Sequence, residues 1–206
     1  MGRYIGPVCR LCRREGAKLF LKGDRCLTGK CAINRKKGAP GVVKQKRGKV
    51  SNYGLQLREK QKVKRFYAVS ESQFRKYYEM ASRAQGNTGE LLVQYLERRL
   101  DNVVYRLGFA VSRNQARQVI SHGLVEMNDR KASIASMMVR KGDVIKIKEN
   151  KRQIGLFDDN IKRENTLPTW LEKMDDFSGK VMELPTRDIV TDVAFKEQMI
   201  VELYSK

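Results

Sequence analysis

At 206 residues with 41% hydrophobic content, the chain is long enough for one or two modest domains with packed cores, which excludes a wholly disordered basic protein. Its 43 Lys and Arg against 23 Asp and Glu give a net charge of +20 and a pI near 10.0. Such a surplus repels itself unless a polyanion is the usual companion, and nucleic acid is the commonest one.

The charge is unevenly placed. Residues 1–50 hold fifteen of the Lys and Arg with only Glu15 and Asp24 as acids, whereas residues 151–206 hold nine bases and eleven acids. The front of the chain is therefore expected to lie against phosphates and the rear to meet protein. No stretch approaches the ~18 or more apolar residues of a membrane span, and Met1 to Gly6 lacks the apolar region of a secretory signal. A cytoplasmic location follows as an expectation, with no membrane and no small-molecule substrate among the partners.

All four cysteines fall early, as Cys9, Cys12, Cys26 and Cys31 in a C-x2-C-x13-C-x4-C pattern. Two close pairs joined by a short loop suit a tetrahedral four-thiolate zinc site, with one structural ion and no open position for a catalytic water. Disulfides are the alternative, disfavoured in a reducing compartment, and an iron–sulfur centre is the other metal such a set could hold. Arg10, Arg13, Arg14, Arg25 and Lys30 crowd the cysteines and are expected to lower their thiol pKa values. Metal closure would hold the cations of this segment, Arg3, Arg10, Arg13, Arg14 and Lys22 among them, in a fixed array for RNA. Arg35, Lys36, Lys37, Lys44, Lys46, Arg47 and Lys49 follow in a Gly- and Pro-containing loop expected to order against a partner.

A basic helix is predicted from about Tyr53 to Phe66, carrying Arg58, Lys60, Lys62, Lys64 and Arg65, with Leu55, Leu57 and Val63 as its apolar members. Ser70 to Gln73 reads as a capping box, and Phe74, Tyr77, Tyr78 and Ala81 recur at the spacing of one buried helical face, which favours core packing over base stacking. Asn87 to Glu90 opens a third helix whose apolar stripe runs from Leu92 to Leu107 with one basic interruption, Arg99, and Gly108 is placed to end it in the left-handed conformation. Ser112, with Gln115 three residues on, caps a shorter helix that turns Ala116, Val119 and Ile120 inward. Arg113 and Arg117 are predicted to share its outer face near the helix N-terminus as a compact phosphate site. Gly123 closes this helix, and His122 beside it can bond the last carbonyls.

Leu124 to Met127 is predicted as a strand, Asn128-Asp129 as a turn, and Val144 to Lys148 as a half-buried strand with a basic face. Beyond residue 150 the single Trp170 is a packing anchor, and Asp192 is expected to cap a final helix bearing Phe195, Met199, Ile200 and Leu203. The fold class expected is α+β.

Catalysis lacks its parts. His122 is the only histidine, with no nucleophile arranged around it. No Gly-rich phosphate loop ending in Gly-Lys-Ser/Thr occurs, and the adjacent acids Asp158-Asp159 and Asp175-Asp176 read as solvated loops. The chain is read as not an enzyme. An RNA-modifying enzyme would need a catalytic domain that the remaining length does not supply, and a zinc-dependent DNA regulator would need a recognition helix.

Several segments together resemble one family, the bacterial-type small-subunit ribosomal protein four in its zinc-binding, four-cysteine form. They are the cysteine spacing, Ser51-Asn52-Tyr53-Gly54, Gln56 to Lys62, Leu100 to Ala110, Ser112-Arg113, Ala116-Arg117-Gln118, His122-Gly123, Gly142 to Ile145, and Ile200 to Lys206. The resemblance covers nearly the whole chain. The family's usual Pro-Gly-Gln-His-Gly run is replaced here by Ala39 to Val43, its Gly after Asn128 by Asp129, and its Pro-Ser-Tyr by Ala135-Ser136-Met137.

The resemblance implies three segments. Residues 1–50 would form a basic zinc-binding extension, residues 51–95 and 171–206 a helical domain, and residues 96–170 an inserted RNA-binding domain with a helix pair and an antiparallel sheet. It also implies a protein that binds small-subunit ribosomal RNA early, at a multi-helix junction in the 5′ domain, and nucleates assembly of the subunit body. Its neighbours would be ribosomal proteins five and three, near the path by which messenger RNA enters, with an influence on translational accuracy. On this reading Tyr53, Arg58, Lys62, Lys64, Arg65, Arg113, Arg117 and His122 join the cations of the extension as RNA contacts.

Overall fold

A computed structural model describes residues 4–41, 51–155, 157, 160, 163, 166–190 and 192–205. The chain divides into two compact units, one built from Met1–Val93 with Val190–Lys206 and the other from Gln94–Ile189. Among the described residues no helix is long and apolar enough to cross a membrane.

The first unit begins with α1 (Cys9–Glu15), which ends at Gly16 in the left-handed conformation (φ 67°), and a 3-10 turn over Gly23–Cys26. Leu19, Leu21, Cys12, Cys26 and Cys31 are all buried. Then come α2 (Asn52–Phe66) and α3 (Glu71–Arg83), both opened by serines. Ser51 accepts a hydrogen bond from the Gly54 amide and Ser70 accepts one from Gln73, satisfying amides that a helix start otherwise leaves unpaired. The aromatic face of α3 is core: Phe74 and Tyr77 are buried, and Tyr78 stacks on Tyr204 with centroids 4.6 Å apart.

Tyr204 belongs to the last helix, α7 (Glu197–Tyr204). This helix starts later than expected from an Asp192 cap, because the Lys196 amide is taken by Glu59 Oε2 at 3.1 Å, leaving Phe195 buried ahead of it. The closing segment docks on α2: Gln56 Nε2 donates to Glu202 at 2.9 Å, and the Lys60 ammonium lies 5.5 Å from the Tyr204 ring centre.

Glu71 ties these elements together, accepting from Lys60 (2.6 Å), Lys64 (2.8 Å) and the Tyr204 hydroxyl (3.0 Å). Burial works to raise its pKa, but the lysine hydrogen bonds outweigh it and hold the carboxyl at about 2, well below its ordinary 4.5. A carboxyl depressed on folding stabilises the fold above its unfolded pKa and loses that contribution as pH falls toward the folded one. Glu71→Gln is therefore expected to be less stable than wild type at pH 7, with the gap closing between about pH 4.5 and 2 in parallel acid titrations followed by circular dichroism. Because Glu71 keeps 42% of its side chain exposed, the neutral-pH gap is modest.

The single helix expected across Arg99 is two, α4 (Thr88–Glu97), which begins in the first unit and ends in the second, and α5 (Leu100–Arg106). Arg99 is extended (φ −67°, ψ 136°) because the backbone here pairs with the segment after residue 134: Leu100 N donates to Met137 O and Val139 N to Arg98 O, each at 2.9 Å. The Arg99 guanidinium turns inward onto Asp101, at 3.0 and 2.6 Å, and both residues are buried. Gly108 then takes the left-handed conformation (φ 83°), as the apolar stripe suggested. Next comes α6 (Arg113–Ser121), where Ser112 accepts from Gln115 N and Gln115 Oε1 accepts from the Val111 amide.

The sheet is antiparallel in the order β2-β1-β3-β5-β4: β1 (Val125–Met127), β2 (Arg130–Ala132), β3 (Val144–Ile147), β4 (Leu171–Asp175) and β5 (Ser178–Val181). Asn128 and Asp129 both have positive φ (51° and 62°), the geometry of a tight hairpin turn. The core packs Val103, Val104, Phe109, Ile120, Val125, Ile145, Ile147, Trp170 and Val181 together.

Two boundaries differ from expectation. Residues 171–189 belong to this second unit and not to the helical one, since β5 hydrogen-bonds β3. Residues 1–41 cluster with the helical unit instead of standing apart. β5 can lie against α5 because residue 179 is glycine; a Cβ there would meet Leu107 Cδ2 at 2.4 Å.

The architecture is α+β, a helical unit and a second unit with an antiparallel sheet.

Candidate nucleic-acid interface

In the cysteine-bearing segment Cys12, Cys26 and Cys31 are buried, Cys9 is half-buried, and all four thiols are free. Burial pushes the Cys12 and Cys26 thiols up, and the other cysteines add to the effect; backbone amides, including Lys22 N at 3.4 Å from Cys26 Sγ, oppose it. For Cys12 and Cys26 this corrects the expected lowering by nearby cations. Those cations face elsewhere: Arg13 Nε donates to Gly38 O (2.6 Å), Arg14 to Pro40 O (3.4 Å), and Arg10, Arg25 and Lys30 are exposed. Among the described residues no three His, Cys, Asp or Glu side chains converge closely enough to hold a metal ion.

The predicted RNA residues of this segment fall into two sets. Arg13, Arg14 and Arg35 each donate to a backbone carbonyl, Arg35 Nε reaching Gly29 O at 3.2 Å, and Arg14 and Arg35 are also exposed. Arg10, Lys22, Lys36 and Lys37 are exposed cations. Arg3, Lys44, Lys46, Arg47 and Lys49 lie outside the described residues.

On α2 the cations are paired within the protein. Arg58 (3.2 Å) and Arg65 both donate to Glu15 Oε1, Lys62 to Glu59 (2.5 Å), and Lys64 to Glu71. The Glu15 side chain is fully buried; burial pushes its carboxyl up, while Arg65 and Arg58 act to lower it. Tyr53 is 60% exposed at the start of α2, open to a partner.

In the second unit Arg113 is not on the outer face of α6. It is 5% exposed, donating from Nε to Asn102 Oδ1 at 2.8 Å, with its guanidinium 4.5 Å from the Tyr105 ring centre. Asn102 in turn donates to Glu97 (2.7 Å), which also accepts from Arg106 (3.0 Å). Position N1 of a short helix packed on α5 faces inward here, and the polar cluster supplies the partners that a buried cation requires. Arg117, one turn on, is half-buried, and His122 is exposed at the helix end.

The hairpin adds two cations that sequence reasoning passed over, Arg130 and Lys131, both exposed. The Lys131 stem lies across Gly123 (φ 67°), where a Cβ would meet Lys131 Cε at 2.6 Å, so the end of α6 and the β2 lysine lie side by side. A register argument from the Asn128-Asp129 turn, which sets Lys131 opposite Glu126, was the signal available. The basic face of β3 is partly neutralised, because Lys146 donates to Asp129 (2.5 Å), a contact that raises its pKa.

An α+β scaffold with exposed cations on each unit, and its buried charges consumed in holding the fold, defines a structural RNA-binding protein. The comparisons bear this out. Residues 3–97 match the family described as "Ribosomal protein S4/S9 N-terminal domain" and residues 98–145 match the "S4 domain". "Small ribosomal subunit protein uS4" of Thermoanaerobacter sp. (strain X514) is 55% identical over 207 residues, and that of Geobacter sp. (strain M21) is 53% identical over 209. "Small ribosomal subunit protein uS4A" of Clostridium novyi (strain NT) is 55% identical over 207. Each match covers 100% of both chains. The chain belongs to the uS4 family of small ribosomal subunit proteins, and it is a structural protein, not an enzyme.

Proposed function

We propose that this protein, in the cytoplasmic ribosome, is a primary RNA-binding constituent of the small subunit that nucleates assembly of the subunit body at a helix junction in the 5′ domain. It also meets neighbouring ribosomal proteins, protein five and protein three, near the path by which messenger RNA enters, and so influences accuracy. The observation that carries this reading is the similarity to uS4 relatives along the full length, 53–55% identical, supported by the exposed cations of both units. Lys and Arg neutralise phosphates while a pre-folded RNA supplies the matching shape. A nuclease footprint on small-subunit ribosomal RNA should fall at a multi-helix junction of the 5′ domain. Protection scattered over the RNA, or equal affinity for plain duplex, would defeat the proposal.

We further propose that Cys9, Cys12, Cys26 and Cys31 hold one structural zinc ion. The donor chemistry suits zinc: four free thiols in two close pairs, three of them buried, with a backbone N–H reaching Cys26 Sγ as amides do in thiolate sites. Bound zinc would draw the four sulfurs into one tetrahedron and fix residues 9–31 without adding chemistry. Native mass spectrometry should find about one zinc per chain, lost in Cys9→Ser or Cys26→Ser. Metal-free protein purified under zinc-replete conditions with four reactive thiols would remove the proposal.

A further inference from the structure

We infer that Glu15 is a positioning residue for RNA, gathering Arg58 and Arg65 into one phosphate-binding pair; this rests on the RNA-binding reading above. The two arginines stand seven residues apart on α2, about 10 Å along the helix axis, and would point independently if left in solvent. Both instead donate through Nη1 to the same oxygen, Glu15 Oε1. Each guanidinium has five N–H donors, so one bond to the carboxylate leaves Nε and Nη2 able to serve an anion. Arg58 and Arg65 keep 39% and 21% of their side chains exposed, while Glu15 keeps none.

The carboxylate therefore sits behind the pair and the donors in front. A group present for stability alone is poorly served by this arrangement. Glu15 Oε2 is buried with no hydrogen-bond partner among the described residues, and a desolvated carboxylate with one unsatisfied oxygen offsets much of what its ion pairs contribute. What the arrangement achieves is convergence, two planar forks brought to one point, which suits a phosphate with several oxygens.

Glu15→Gln tests this because two effects carry opposite signs. Removing a negative charge from a protein that binds a polyanion should tighten binding if only the overall field matters. Loss of positioning should weaken it. Titrating the full chain against a 5′-domain ribosomal RNA fragment, we expect Kd to rise roughly five- to tenfold in Glu15→Gln. The slope of log K against log salt should become shallower by about one to two. In the Arg58→Ala/Arg65→Ala background the same substitution should change nothing.

Unchanged or tighter binding by Glu15→Gln overturns the inference. So does weakening that persists in the double-alanine background, which would mark a folding effect. If thermal melts show that Glu15→Gln fails to fold, Glu15→Asp takes its place: it keeps the charge but withdraws it by one methylene, so binding equal to wild type overturns the inference. Failure of the wild-type chain to bind the fragment would instead defeat the RNA-binding reading itself.

Discussion

Replacing Asp101 with alanine is expected to destabilise the second unit by about 3–5 kcal/mol, the cost of leaving a buried cation without its carboxylate. Arg99 and Asp101 are 1% and 3% exposed, and their two-point contact (3.0 and 2.6 Å) sits where α4 breaks and α5 begins. Asp101 Oδ1 also accepts the Asn102 amide at 3.0 Å, so the substitution removes a helix-start acceptor as well. The protein carries its own probe: the single tryptophan, Trp170, is 2% exposed in the core of the same unit. Urea unfolding followed by its fluorescence should show the loss. The exposed Arg75–Glu79 pair, with side chains 71% and 48% open to solvent, supplies the contrast, and Glu79→Ala should shift stability by no more than about 0.5 kcal/mol. A similar small shift for Asp101→Ala would mean that the buried pair is solvated.

Affinity for a 5′-domain RNA fragment should fall roughly a thousandfold or more between about 50 and 200 mM monovalent salt, as expected when six or more phosphates are neutralised. The structure sorts the cations responsible. Arg10, Lys22, Lys36, Lys37, Arg130 and Lys131 are exposed, so each should contribute about one unit of counterion release. Lys64 is already neutralised by Glu71 and should contribute less. Lys36→Ala with Lys37→Ala is expected to lower the log–log slope by about two, while Lys64→Ala leaves it nearly unchanged. Filter binding over a salt series measures both. A flat salt response, or equal slopes for the two variants, would contradict this assignment.

Local signals were read well where chemistry is local. Ser70, Asn87 and Ser112 cap the helices they were expected to cap, Gly108 and Gly123 take the left-handed conformation, and Asn128-Asp129 make the turn. In each case the residue's own backbone preference or short polar side chain determines the outcome. What was not legible depends on partners distant in sequence. In the sequence Arg99 is a polar interruption in a helical stripe; its backbone pairs with residues 137–139, some forty positions away. Arg113 looked solvent-facing because its partners, Asn102 and Tyr105, sit on another helix.

The strands β4 and β5 were missed for a related reason. Only Leu171 of β4 is buried, and β5 contains a glycine whose role is to let Leu107 approach, so neither shows the alternation that marks a strand. The cations of α2 are visible as a group in the sequence, but their pairing with Glu15, Glu59 and Glu71 is a tertiary fact.

The first unit is assembled from both ends of the chain, with Val190–Lys206 returning to Met1–Val93, while the second is one uninterrupted stretch. During synthesis from the N-terminus, the inner stretch can close on its own core while the outer one still lacks its last helix. Phe74 and Tyr78 must then wait for Tyr204, so the outer unit closes only once that helix has been made. A chain cut short before its final helix would carry a complete inner unit and a permanently open outer one.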